Sequence, residues 1–163
     1  MSATIWIMQY GIICAAMTSK ADIRGVYDVN SVEEAWDVAR RLAATLKPGD
    51  VVCLEGDLGS GKTTFVQGLA AALGVSGRVT SPTFCIVQEH KSADGAVLFV
   101  HMDLYRLESE ADVIAIGWED YVDRGAILAV EWPERAGTLI PPGAVHVSFS
   151  RTEGDESRRI EIS

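Results

Sequence analysis

Eight consecutive residues, Gly56-Asp57-Leu58-Gly59-Ser60-Gly61-Lys62-Thr63, carry the clearest chemistry in this sequence. They fit the pattern G-x-x-x-x-G-K-[ST], which by average residue usage arises by chance in well under ~1% of chains of this length. Glycines let the backbone curl so that its amides point inward, at the oxygens of a polyphosphate. The stretch follows the apolar run Val51-Val52-Cys53-Leu54 and opens a helical stretch, Thr63 to Leu73, closed by Gly74. A helix N-terminus placed there adds its dipole to the anion site. The spacing therefore predicts a grip on Mg-ATP by Leu58, Gly59, Ser60, Gly61, Lys62, Thr63 and Thr64. Lys62 is expected to reach the β- and γ-phosphates and act in catalysis, and the Thr63 hydroxyl to hold Mg2+.

A second metal-side carboxylate is expected at the end of a neighbouring buried strand. Two residues compete. Glu131 follows Ala126-Ile127-Leu128-Ala129-Val130, and Asp103 follows Val97 to Val100 with His101 and Met102 between. The cleaner strand-end placement favours Glu131 as the metal ligand. Asp103 then orients the attacking water or holds the metal's outer sphere, although the two roles are exchangeable at this level. Thr80-Ser81-Pro82-Thr83 stands where nucleotide switches carry a γ-phosphate-sensing hydroxyl, or is a plain polar loop. His101 is read as packed rather than as a base, and Trp132 as either pocket wall or core.

Elements that would position these residues are legible in the patterning. Gly25 to Val29 reads as a strand. Ser31 and Glu34 form a capping box that opens a helix, with apolar Ala35, Val38, Ala39, Leu42 and Leu46 on one face. Val51 to Leu54 lacks polar alternation, as a strand covered on both faces does. Phe84 to Glu89 and Ala96 to Met102 are strands joined by an Asp94-Gly95 hairpin. A helical stretch from Ser109 to Val122 is broken by Gly117. After the turn at Pro141-Pro142-Gly143, Val145 to Phe149 and Arg159 to Ile162 read as closing edge strands. The alternation predicts an α/β fold of the P-loop NTPase class, with a mainly parallel central sheet, antiparallel edge strands and flanking helices.

Bulk properties narrow the function. Residues 25–163 suffice for one ATPase domain, with 1–24 an N-terminal extension, disordered or a misassigned start. Met1 to Ser19 has no charged residue, hence no basic signal-peptide region, and is too interrupted for a membrane span; Met17 is the expected start, with a docked tail as the alternative. A net charge of −9 without a Lys/Arg cluster argues against strong direct nucleic-acid binding; such an acidic surface keeps a protein soluble or meets a basic protein partner. Cys14, Cys53 and Cys85 sit among apolar neighbours and are read as reduced and packed.

Together, G-D-L-G-S-G-K-T-T (Gly56 to Thr64), S-P-T-F (Ser81 to Phe84), H-M-D-L-Y-R (His101 to Arg106) and E-W-P-E (Glu131 to Glu134) resemble the bacterial ATPases of tRNA threonylcarbamoyladenosine biosynthesis, the TsaE family. The likeness runs from about Val26 to the C-terminus. It implies a cytoplasmic Mg-dependent ATPase, slow by itself, that supports tRNA modification through a threonylcarbamoyl transferase of the sugar-kinase-like fold and its smaller paralogue. It implies Mg2+ held by Thr63 and Glu131, hydrolysis dependent on Asp103, and switch-like segments at Ser81 to Thr83 and Asp103 to Arg106. The base is implied to lie near the first helix and the last strand. Cys85 departs from the family's usual hydroxyl residue.

Two rivals are weighed on residues alone. A GTPase needs N-K-x-D, but the only asparagine, Asn30, precedes Ser31. A small-molecule kinase of the P-loop class needs an arginine-bearing lid, and no lid-like insertion is evident.

Overall fold

The computed structural model describes residues 23–77, 79–82, 85–152 and 157–163. Strand β1, Gly25–Val29, leads directly into helix α1, Val32–Ala43. Ser31 caps that helix by accepting the Glu34 amide at 3.1 Å. The Glu34 carboxylate reaches back to the amide of Asn30 at 2.6 Å, one residue before the cap, so the capping box closes in shifted form. Strand β2, Val51–Glu55, feeds the glycine loop, and helix α2, Lys62–Ala72, leaves it. Strands β3, Val87–Lys91, and β4, Leu98–Asp103, pair antiparallel around the Asp94-Gly95 turn. Helices α3, Glu110–Ala115, and α4, Trp118–Asp123, are separated by Gly117 at φ +95°, a left-handed conformation that ends one helix and starts the next. Strand β5, Ile127–Glu131, then precedes two short 3-10 turns, and β6, Val145–Arg151, and β7, Arg158–Ile162, follow.

These strands form one seven-stranded sheet in the order β1-β7-β6-β2-β5-β4-β3. β6, β2, β5 and β4 run parallel to their neighbours, flanked by antiparallel β7 and β1 on one side and β3 on the other. The mixed α/β architecture is thus as expected, with one correction. β6 and β7 are interior strands, and the edges are β1 and β3. Val145, Val147 and Phe149 of β6 are buried, as a strand hydrogen-bonded on both sides and covered by helices allows.

The patterned residues divide between the two faces. Val52, Leu54, Phe99 and Ala129 pack with Leu42 of α1 and Phe65 of α2. Val51, Cys53, Val100, Leu128 and Val130 pack with Val113 of α3 and Trp118 of α4. Burying a side chain such as Leu42 or Phe65 contributes about 1.5–3 kcal/mol. α1 and α2 approach closely because α2 has Gly68 at the contact: a Cβ there would lie 2.9 Å from the Trp36 ring. Trp36 Nε1 in turn donates to the Thr64 carbonyl at 3.0 Å, tying α1 to the first turn of the loop's helix.

Two further readings are corrected. Cys53 is buried and its thiol is pushed up to about 12, first by desolvation and then by Glu55, but Cys85 is exposed rather than packed. It follows Pro82 in a turn, where no apolar layer covers it. β3 begins at Val87 rather than at Phe84, because Pro82 accepts from the amides of Cys85 and Ile86 in a tight turn that delays the ladder. Cys14 and the apolar segment Met1 to Ser19 lie outside the described residues, as do Thr83 and Phe84.

Candidate functional site

The parallel strands β2, β5 and β4 end side by side, the place where open α/β sheets bind ligands. The glycine loop crosses that end. Gly56 (φ +143°) has no room for a side chain, since a Cβ would stand 2.7 Å from the Phe149 carbonyl and 2.9 Å from Ser60 Oγ. Gly61, at φ +107°, stands at the head of α2. That helix begins without a side-chain cap and without an acidic residue in its first turn, whereas α1 and α3 have both. Its N-terminal amides and dipole are therefore left for an anion from outside the chain. Leu58 protrudes from the loop, 86% exposed. Ser60 is its opposite, buried, with an Oγ that has no hydrogen-bond partner among the described residues.

Lys62 is 5% exposed and faces back into the loop. Its Nζ donates to the carbonyls of Gly56 at 2.5 Å and Asp57 at 2.9 Å, and stands 5.3 Å from the centre of the Trp132 ring. No carboxylate lies in ion-pair range of it among the described residues. A buried ammonium held by carbonyls and an aromatic face is poised for a stronger acceptor. Thr63 and Thr64 follow in the first turn of α2, half-buried.

The two competing acids are neighbours. Asp103 and Glu131 are paired in register at the ends of β4 and β5, 7% and 5% exposed. They lie on the face that packs against α2, because they alternate in step with Phe99 and Ala129 of that core. Asp103 Oδ1 accepts the Tyr105 amide at 3.1 Å. Glu131 Oε1 is bonded to Nε2 of the fully buried His101 at 2.9 Å. His101 is thus packed, as expected, but against the candidate metal ligand. Trp132 serves both readings: half-buried, it packs against the second core layer, lies tilted with its ring centre 4.9 Å from that of Tyr105, and borders an open cleft.

The only non-glycine residues with positive φ among those described, Ile86 (+67°) and Trp132 (+59°), both adjoin the site. Such conformations cost on the order of 1–3 kcal/mol and persist where the surroundings enforce them. The Ile86 carbonyl accepts the Asp103 amide at 2.9 Å, which ties the segment after Ser81-Pro82 to the acid. Thr80 Oγ1 accepts from Gln88 Nε2 at 3.0 Å.

Two clefts flank the loop. One, of about 720 Å³, runs between the Leu54-to-Asp57 strand end and the Trp132-to-Pro142 segment, and contains the His146–Glu55 pair at 2.7 Å. The other, of about 640 Å³, lies between Gly59-Ser60-Gly61, the Asn30-Ser31-Val32 start of α1, and Arg158 and Ile160 of β7. Of these flanking residues, sequence reasoning singled out Trp132 as pocket wall or core, and the resemblance implied a base near the first helix and the last strand; Glu55, His146 and Arg158 were marked by no motif.

Comparison with known proteins places this geometry. Residues 29–160 match the family model described as threonylcarbamoyl adenosine biosynthesis protein TsaE. The chain belongs to the TsaE family. It is 41% identical over 131 residues to the tRNA threonylcarbamoyladenosine biosynthesis protein TsaE of Bacillus subtilis, covering 80% of each chain. It is 37% identical over 124 residues to the protein of that name from Streptomyces coelicolor, covering 76% of this chain and 84% of the relative. A crystal structure of Bacillus subtilis YdiB superposes with a TM-score of 0.69 at 34% identity, over 85% of this chain and 84% of that one. The expected TsaE membership is correct. No helix among the described residues is long and apolar enough to cross a membrane.

Proposed function

We propose that this TsaE-family chain is a P-loop ATPase whose Mg-ATP binding and hydrolysis support threonylcarbamoyladenosine modification of tRNA. The observation that carries the reading is the uncapped head of α2, wrapped by the glycine loop, with Lys62 inside and Asp103 and Glu131 buried beside it. Leu58 to Thr64 cradle the phosphates. Lys62 exchanges its bonds to the Gly56 and Asp57 carbonyls for the β- and γ-phosphate oxygens, a charge-assisted and stronger pairing. The buried Ser60 hydroxyl gains a partner. The base is assigned to the cleft between the loop, the start of α1 and β7, a reading supported by that cleft's position beside the loop and by a resemblance that implies a base near the first helix and the last strand.

The residues at hand fit a magnesium ion. The Thr63 hydroxyl and the Glu131 carboxylate are hard oxygen donors. Such an ion commonly takes its remaining ligands from phosphate oxygens and water. When bound, it neutralises charge on the β- and γ-oxygens. Asp103 orients the attacking water, and its attachment to Ile86 couples it to the Ser81-Pro82 segment, so that the partner proteins sense the nucleotide state.

Residues 25–163 act as one cytoplasmic ATPase domain. Its partners are the threonylcarbamoyl transferase and that enzyme's smaller paralogue. With a net charge of −9, contact with tRNA passes through them. The test is phosphate release from ATP by the pure protein, alone and with both partners. Release that is slow alone, faster in the complex and lost in Lys62→Ala supports the reading; transfer of phosphate to a small-molecule hydroxyl would replace it with a kinase.

A further inference from the structure

His101 occupies a position where an apolar side chain would be cheaper. It lies in β4, wholly buried, among strands whose same-face neighbours Phe99, Ile127 and Ala129 are apolar. One ring nitrogen has a single partner: Nε2 meets Glu131 Oε1 at 2.9 Å. The other, Nδ1, is buried without one among the described residues. A buried polar atom left unpaired costs free energy, so packing does not account for a histidine here. What the ring adds is a donor aimed at one carboxylate oxygen. In register His101 faces Ala129 and Asp103 faces Glu131, so the bond runs diagonally from β4 to the end of β5. With no exposed surface and its Nε2 engaged by Glu131, His101 is read as the partner of that carboxylate rather than as a base.

We propose that His101 is a positioning residue for magnesium. Its Nε2–H pins Oε1 of Glu131 and leaves Oε2 as the oxygen available to the ion, the relation in which outer partners of metal ligands set orientation and affinity. The inference rests on the reading of Glu131 as a metal-side carboxylate.

The test is a Mg2+ titration of the full chain at fixed non-hydrolysable ATP analogue, read by calorimetry, so that turnover plays no part. His101→Leu should raise the Mg2+ midpoint on the order of 10–100-fold, while analogue affinity in EDTA stays within about twofold. His101→Gln, which can place an amide donor near the Nε2 position, should recover most of the loss. In a Glu131→Gln background, His101→Leu should shift the midpoint no further, because the residue acts through Glu131. Should the Leu variant not fold, His101→Asn, whose amide falls a methylene short of Glu131, takes its place with the same expectation. A wild-type midpoint in the Leu or Asn variant, or an equal additional shift in the Glu131→Gln background, overturns the proposal. Wild-type binding that ignores Mg2+ would instead overturn the magnesium reading itself, and this proposal with it.

Discussion

Alanine substitution at the three glycines of the loop separates crowding from backbone strain. All three have positive φ: +143° at Gly56, +76° at Gly59 and +107° at Gly61. An alanine in such a conformation costs on the order of 1–3 kcal/mol. Gly59 and Gly61 have nothing within 4 Å of an added Cβ, so strain is their whole cost. At Gly56 the Cβ would also stand 2.7 Å from the Phe149 carbonyl and 3.1 Å from the Phe149 Cβ. That carbonyl belongs to β6, where Phe149 pairs with Ile160 of β7 one residue past the ladder with β2, so it cannot withdraw without straining the β6–β7 ladder. Overpacking of this kind adds about 1–3 kcal/mol. Gly56→Ala should therefore destabilise by about 2–6 kcal/mol, against about 1–3 for the other two. At roughly 2–4 °C per kcal/mol for a chain of this size, the Gly56 variant should melt on the order of 10 °C below wild type. Melting curves without nucleotide, supported by urea midpoints, provide the comparison. A Gly56→Ala loss no larger than those of Gly59→Ala and Gly61→Ala would refute the crowding argument.

Three further outcomes are expected. Glu131→Ala should weaken ATP binding and its Mg2+ dependence together, while Asp103→Ala leaves binding nearly intact and lowers turnover; the opposite pattern in paired titration and turnover assays means that the acids' roles are exchanged. The isolated protein should bind tRNA weakly near physiological salt, and tight, salt-sensitive anisotropy changes would contradict the charge argument. Burial, with a smaller contribution from His101, holds the His90 imidazole below its ordinary value of 6.5. The unfolded chain therefore binds that proton first, so stability falls as pH drops from about 6.5 through the lower folded value. The lowered carboxylates Asp28, Glu89, Asp94 and Asp112 lose their contributions only further down, through folded values below 3.8 or 4.5. His90→Gln should flatten melting temperature against pH between roughly 6.5 and 5, and an unchanged slope there would remove His90 from the account.

Much of the candidate site was legible because the residues proposed for it are local in sequence. Gly56 to Thr64 must be contiguous to wrap a helix head, and Asp103 and Glu131 close short, mostly apolar runs read as buried strands. Their adjacency was not readable, since nothing in either segment states that β4 and β5 pair in register. The His101–Glu131 bond was missed for the same reason: i, i+2 spacing puts His101 and Asp103 on one face, but the partner comes from another strand. Strand order defeated the reading of β6 and β7 as edges. Their alternation of buried and exposed residues is that of a sheet margin, yet Phe149 and Ile160 are buried beneath the first helices. Gly68 gave no signal of its own, because its role exists only once Trp36 lies across α2.

The central claim is that Lys62, at the head of α2, holds the phosphates of Mg-ATP. Its most direct test is the melting temperature of wild type and Lys62→Ala with and without saturating Mg-ATP. A ligand at 100 times its Kd stabilises by about 2.7 kcal/mol, which for this chain is roughly 5–10 °C. That shift is expected in wild type, and one of no more than about 2 °C in the variant. Equal shifts in the two proteins, or none in wild type, would contradict it.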